Sequence, residues 1–554
     1  MTVSDDTPRG MGRSSALLAS GTMVSRILGF VKAIVLAQAI GLSASAAADA
    51  FGAANQLPNN IYALIAGGVL GAILVPQIVR AGLHDDGGQR YINKLMTLGI
   101  TVFALVTLLA TLAAPLLVAL YAQEASATGG RGFSSEGMAL ATAFAYWCLP
   151  QVFFYALYSL LGEVLNARRV FGPFAWAPAV NNIVAIAGLV AFVALFGGAD
   201  ANSDVSDWTP DKIAILAGTA TLGIVAQSAV LMFFWRKVGL KFRPDFRWRG
   251  VGLAKTGKSA GWVFAMILVT QLAGLVQSRV ASLPSGDAAG IATLQSSWLI
   301  FMLPHSVIAV SIATVFFTRM SSHATVGDTG AVRDDLMSSL RTIGLLIVLA
   351  SFALIVLAIP FARVFEEDFG NVQSMAAVIA AYMVGLIPFS AVFVLQRTFY
   401  ALEDTRTVFF IEVAKSALFV VGFLFCTRLP VEWIAVGIAL VSSFTFLAQA
   451  SLTFILLRRR LGPLGGRALT LRYGQYILVG LASSAVGFGL LLLFGAFNPA
   501  GFAVSGIVPA LVTMVVIGGV MAVIYLGLLL ALRNPELQVV RGILMRRLRP
   551  GHTE

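Results

Sequence analysis

About fourteen apolar runs, each long enough to cross a bilayer, punctuate this chain and leave few folds open to it. They fall at 15–41, 48–79, 95–121, 138–166, 174–196, 213–235, 259–283, 288–317, 337–364, 375–400, 407–426, 431–457, 473–494 and 502–532. A membrane span needs roughly 20 mainly apolar residues, and short polar loops separate these runs. Only 12% of the 554 residues are charged, whereas soluble domains carry about 25%, so the chain has too little charge to clothe a water-facing surface. Lipid offers no partner for backbone N–H and C=O groups, so the spans must be helices. The expected fold class is an all-α polytopic membrane protein of about fourteen transmembrane helices.

The net charge of +12 would suggest nucleic-acid binding in a soluble protein. Here Lys and Arg collect in alternate loops, the pattern of positive-inside topology. Topology alone explains the excess, and nucleic acid is not expected as a partner. With an even number of spans, both termini fall on the cytoplasmic side of a multi-pass protein of the plasma membrane. The polar start MTVSDDTPRGMGRSS has no small-residue cleavage site behind it, so the first run reads as a retained span. Cys148 and Cys426 give neither a disulfide framework nor a metal-ligand spacing. There is no phosphate-loop motif and no Ser-His-Asp set, and Gly67–Ala72 does not resemble a phosphate loop. No cofactor, metal or bond-making catalysis is expected, which points to a transporter.

The chain repeats itself. LPNNIYALIAGGVL in span two has a counterpart, LPHSVIAVSIATVF, in span eight. LLGEVLNARRVFGPF before span five parallels VLQRTFYALEDTRTVFF before span eleven. Spans one to six and seven to twelve therefore read as two six-helix lobes of the same orientation around a central cavity, and such repeats hold substrate at their interface. The expected divisions are an N-terminal lobe at 1–240, a basic amphipathic linker at 241–258, a C-terminal lobe at 259–460, spans thirteen and fourteen at 461–533, and a basic cytoplasmic tail at 534–554. The linker mixes Phe242, Phe246 and Trp248 with cations. It suits either a segment lying on anionic headgroups or a solvated basic loop.

Charges inside spans single out candidate residues, because an ionised group at mid-membrane costs at least about 2.5–3.5 kcal/mol and normally faces a bundle interior or water. Arg26 and Lys32 lie six apart on the first span, on faces about 120° apart. A guanidinium fork and an ammonium suit the oxygens of a pyrophosphate; the bland alternatives are snorkelling of Arg26 and pairing of Lys32 with Asp49. Asp49 opens span two, where it could cap that helix or pair a cation. Asn59 and Asn60 follow Pro58, which breaks the helical ladder, and could line a cavity or join helices. Glu412 and Lys415, at i and i+3, form either a self-neutralised pair or a gate or ion-coupling element between the halves. His305, after Leu303-Pro304, is either a packed polar residue or a proton-coupling group. Glu163, Arg279 and Arg397 sit near span ends, where snorkelling suffices.

The stretches SRILGF, ADAF, LPNNIYALIAGG, LLGEVLNARRVFGPFAWAPAVNN and LQRTFYALEDTRT resemble the MurJ/MviN family of lipid II flippases, within the multidrug/oligosaccharidyl-lipid/polysaccharide exporter superfamily. The resemblance runs through essentially the whole chain. It implies fourteen helices around a V-shaped cavity and alternating access. It also implies carriage of undecaprenyl-pyrophosphate-linked peptidoglycan precursor to the outer leaflet, and a lipid-tail groove at spans thirteen and fourteen. Arg26 and Lys32 match cavity cations of the family, and Asp49 matches its acidic residue. Two positions depart from it. Tyr62 and Leu299 stand where many members carry arginine, which makes this cavity less cationic.

The substrate-binding set is therefore Arg26, Lys32, Asp49, Asn59 and Tyr62, with Glu412, Lys415 and His305 as gate or coupling candidates. The expected partners are lipid II or a similar polyprenyl-pyrophosphate glycolipid, membrane lipids and cell-wall synthases. Within transport, the alternatives are a flippase for another polyprenyl-linked glycan or a drug/cation antiporter; an antiporter would want acidic residues in the cavity. A non-transporting lipid-binding scaffold for synthases is the reading from a different class.

Overall fold

The computed structural model describes residues 8–66, 88–126, 130–168, 170, 172–237, 241–247 and 257–537. The glycine-rich stretch 67–72, the loop 80–87, most of the linker after 247 and the tail after 537 lie outside the described residues. The described residues are helical almost throughout, and the one β feature among them is an isolated bridge between Glu124 and Phe133. Among the described residues, twelve helices are long and apolar enough to cross a membrane, or thirteen if a bent pair counts as one span. Span two is described over Ala46–Ala66.

By Cα packing the chain divides into two compact units, Met1–Ala292 and Thr293–Glu554. The first holds α1 (Pro8–Ile40), α2 (Ala46–Ala66), α3 (Gln89–Leu112), α4 (Ala114–Tyr121), α5 (Ser135–Cys148), α6 (Gln151–Ala167), α7 (Gly172–Phe196), α8 (Pro210–Lys237) and α9 (Gly257–Ala281). The second holds most of α10 (Ile291–Pro304), then α11 (Val310–Thr325), α12 (Thr329–Val356), α13 (Ala358–Phe365), α14 (Phe369–Val384), α15 (Leu386–Ala401), α16 (Thr405–Cys426), α17 (Ile434–Leu461), α18 (Gly466–Leu493) and α19 (Ile507–Ala531).

Proline decides where spans break. Spans three and nine, expected as single helices, are each two. Ala113 and Leu357 both leave the helix with φ −88° and ψ 11°, just ahead of Pro115 and Pro360. A proline ring collides with the carbonyl four residues back and supplies no N–H, so the ladder stops there. Span four breaks at Leu149-Pro150, between α5 and α6. Span ten bends by 40° between α14 and α15, where Gly385 precedes Pro388. A Cβ at Gly385 would lie 2.7 Å from Ser443 Cα, so only glycine admits α17 this closely. Carbonyls near that bend find hydroxyl donors: Ser351 Oγ donates to Met383 O at 2.6 Å and Ser443 Oγ to Ala381 O at 2.7 Å. Span eight continues past Pro304 through a π-helical turn, His305–Ala309, a form that concentrates at functional sites.

Each unit has its own apolar core. In the first, Ile92 and Met96 of α3 pack with Leu160 and Val164 of α6 and Leu231 of α8. In the second, Val348 of α12 packs with Tyr476 of α18 and Tyr525 of α19. Tyr525 Oη donates to Leu345 O and Tyr473 Oη to Leu340 O, both at 2.9 Å, so the last two spans are hooked onto α12 by phenols. Their other faces are bare: Val515 of α19 is 74% exposed and Leu493 of α18 is 82%. Apolar surface on that scale is stable only against lipid.

Candidate functional site

The site is built outward from the seam between α1 and α7. Gly21, Ser25 and Gly29 recur every fourth residue and so share one face of α1. A Cβ at Gly21 would lie 2.9 Å from the Trp176 ring, so the two helices meet closely there. Asn182, buried in mid-span on α7, donates through Nδ2 to Ser25 O at 2.8 Å. Arg26 follows Ser25 and is turned about 100° away from the seam; its side chain is exposed. Lys32 points to the Ser25 side of the helix by the same geometry and is half-buried. Neither forms an ion pair among the described residues, so the alternative in which Lys32 pairs with Asp49 is not met.

Asp49 is fully buried, and it is not the cap of its own helix. Ser45 takes that role, its Oγ accepting from Ala48 N at 3.1 Å and donating to Ile40 O at 2.7 Å. Asp49 Oδ1 instead accepts from the Ala292 N–H at 2.8 Å, at the start of α10. A carboxylate there satisfies one of the unpaired donors that begin every helix and complements its dipole. Neighbouring bonds tie the segments around them. Ala44 N donates to Ala288 O at 3.0 Å and Gln123 N to Ser282 Oγ at 2.8 Å. Arg279, near the end of α9, donates to Ala119 O at 2.9 Å and binds Gln123 Oε1, so its role is to close the end of α4 and not merely to snorkel. A Cβ at Gly290 would stand 2.2 Å from Asp49 Oδ2, so glycine is required opposite this carboxylate.

Further along α2, Asn59 is exposed and Asn60 half-buried; Asn60 O accepts from Gln271 Nε2 of α9 at 2.8 Å. Tyr62 is half-buried, and its ring lies 5.9 Å from that of Tyr155 on α6.

In the second unit, Glu412 is buried at the meeting of three helices. Its Oε1 accepts from Gln396 Nε2 of α15 and Gln449 Nε2 of α17, each at 2.7 Å. Its Oε2 pairs with Lys415, whose ammonium lies 5.7 Å from the Phe419 ring centre. His305 is buried in the π turn, with Nδ1 3.1 Å from Ser390 Oγ and its ring against Phe389 and Phe393. Leu299 is half-buried on α10. Near the C-terminal end of α18, an apolar cavity of about 380 Å³ is lined by Ile355, Ile359, Ala376, Phe488, Leu491 and Phe497.

Comparison with known proteins now decides the family. Residues 36–513 match the family model described as lipid II flippase MurJ. The chain belongs to the MurJ family of lipid II flippases. A probable lipid II flippase MurJ of Haemophilus influenzae is 27% identical over 457 residues, covering 78% of this chain and 83% of the relative. One of Rhizobium tropici is 28% identical over 401 residues, 70% of each chain. Among solved structures, a lipid II flippase MurJ in an inward closed conformation superposes with a TM-score of 0.69 at 18% identity, covering 93% of this chain and all of that one. An inward-facing multidrug-resistance MATE transporter gives 0.61 at 16% identity, covering 81% and 99%. At such identities these superpositions establish the all-helical MurJ-like fold of a multi-pass membrane protein. Arg26 and Lys32 precede the stretch matched by the MurJ family model.

Asn182, Gln123 and Gly290 are the participants that sequence reasoning passed over, and Arg279 is one it read only as snorkelling. Asn182 left one signal, an amide in the middle of an otherwise apolar span.

Proposed function

We propose that this chain moves lipid II from the inner to the outer leaflet of a bacterial cytoplasmic membrane by alternating access, with both termini in the cytoplasm. The carrying observation is the family match over residues 36–513. Arg26, exposed on span one, grips the pyrophosphate through its guanidinium, and Lys32 adds a second positive charge deeper along the same helix. Asn59 and Tyr62 shape the pocket. Asp49 acts as a latch: its bond to Ala292 N ties the start of span two to the start of span eight, and it must release when the transporter changes state. Glu412 and Lys415 form a charge-neutral brace within the second unit, and His305 seats the π turn on α15. The cavity beside α18 accepts part of a lipid tail, and the basic cytoplasmic loops recruit cell-wall synthases.

A direct test is translocation of lipid II in vesicles that contain this protein alone. Wild type should expose lipid II on the opposite leaflet, and Arg26→Ala should not, at equal reconstitution. Full rescue of flippase-depleted cells by Arg26→Ala would remove the proposed grip. Tyr62 and Leu299, in place of two arginines, favour a second reading, another polyprenyl-pyrophosphate glycan as cargo. Preference for such a glycan over lipid II in the same vesicles would establish it.

A further inference from the structure

The segment 241–247 reads Lys-Phe-Arg-Pro-Asp-Phe-Arg, with charged and apolar side chains alternating. It is not helical; it runs as a strap along the first turns of α3. Three rungs hold it. Gln89 Oε1 accepts from Lys241 N at 3.3 Å while Gln89 Nε2 donates to Lys241 O at 2.7 Å. Asn93 Oδ1 accepts from Arg243 N at 3.2 Å, and Thr97 Oγ1 from Asp245 N at 2.9 Å. The rungs are two residues apart on the strap and four apart on the helix. Two extended residues advance about 6.6 Å and four helical residues about 6 Å, so the two repeats stay in step. Amides at the even positions point away from α3, and Pro244, which has no N–H, sits at one of them without losing a bond.

This register sorts the side chains. Lys241, Arg243, Asp245 and Arg247 share one face, and Phe242, Pro244 and Phe246 share the other. Asp245 accepts from the N–H and Nε of Arg247, at 3.0 and 3.1 Å, bonds that hold its carboxyl below the usual carboxylate range. Phe242 is 42% exposed and Phe246 66%. The first two rungs lie at headgroup depth, because Gln89, Arg90, Asn93 and Lys94 all precede the apolar run of span three, which opens at Leu95. Arg90 and Lys94 on the same turns mark that end as the inner side.

We propose that the strap 241–247 is a binding surface for anionic phospholipids of the inner leaflet. Lys241, Arg243 and Arg247 meet the lipid phosphates, Phe242 and Phe246 enter the boundary between headgroups and acyl chains, and Gln89, Asn93 and Thr97 set the register. The surface is independent of the cargo reading above.

The test uses the full chain with Cys148→Ala, Cys426→Ala and Pro244→Cys, labelled with an environment-sensitive fluorophore and reconstituted in phosphatidylcholine vesicles with or without phosphatidylglycerol. Brominated phosphatidylglycerol should quench the label about three-fold or more better than brominated phosphatidylcholine at equal mole fraction. The preference should fade between about 0.05 M and 0.5 M salt. It should vanish in Lys241→Gln/Arg243→Gln/Arg247→Gln, which keeps the backbone rungs, and in Gln89→Ala/Asn93→Ala/Thr97→Val, which removes them. Equal quenching by the two lipids, or emission of a fully aqueous label in both vesicles, would overturn the proposal. A shift caused by inorganic pyrophosphate in neutral vesicles would overturn it in favour of a soluble anion.

Discussion

The two units treat intramembrane charge in opposite ways. In the second, the carboxylate of Glu412 is matched by Lys415 and two glutamine amides within one three-helix contact. In the first, Arg26 stands exposed on α1 with no ion pair among the described residues, although Asp49 lies one helix away. Asp49 is spent on a backbone amide instead. A buried ion pair with its remaining bonds filled serves architecture, and removing one partner strands the other. Arg26, without an ion pair among the described residues, fits the proposed grip on a charged headgroup. On the proposed reading, the paired charge is architectural and the unpaired one meets cargo, and the predictions below test that contrast.

The largest expected effect probes the paired side. Lys415→Ala should cost about 3–5 kcal/mol of stability, because it leaves the Glu412 carboxylate buried and unbalanced; thermal unfolding in detergent measures it. Glu412→Leu together with Lys415→Leu should recover most of that loss. A single mutant that is as stable as wild type but has altered dependence of transport on membrane potential would move this pair from brace to coupling element.

Arg26→Ala probes the unpaired side and should do the reverse. Stability should change by no more than about 0.5 kcal/mol. Translocation should fall about 10- to 100-fold, the equivalent of a charged hydrogen-bonding contribution of about 1.5–3 kcal/mol. Loss of stability without a specific loss of transport would erase the contrast between the units.

Gly290→Ala should cost about 1–3 kcal/mol, since its Cβ must displace the Asp49 carboxylate. If the latch governs alternation, the substitution should also shift the conformational balance toward release, readable as faster labelling of a cysteine at Ala288. The smallest effect is expected for Asn182→Leu. Loss of one hydrogen bond to Ser25 O should cost about 1 kcal/mol and lower transport through Arg26, while Arg26→Ala/Asn182→Leu should transport no worse than Arg26→Ala.

Much of the fold was legible because bilayer physics is severe. Helix class and the long series of membrane-length helices follow from apolar length alone. The span breaks were less so. Pro115, Pro360 and Pro388 stood in the sequence as warnings, yet whether a proline kinks a span or ends it depends on donors elsewhere, such as Ser351 and Ser443. For the site, sequence could flag Arg26, Asp49 and Glu412 as costly residues but not their partners. Asp49 is bonded to a residue 243 positions away, and no local pattern encodes that bond. The linker illustrates the same limit. Its mixture of aromatics and cations was plain in the letters, but read without the rungs on α3 it suited a solvated basic loop as well as a segment lying on headgroups.

The amide of Asn182 grips a main-chain oxygen, and its consequence is mechanical. A helix held at one carbonyl can swivel about that point with the bond intact, whereas sliding past its neighbour by a turn would break it. A stroke of the first span that keeps this bond must turn about Ser25, with the guanidinium one residue away sweeping an arc around it.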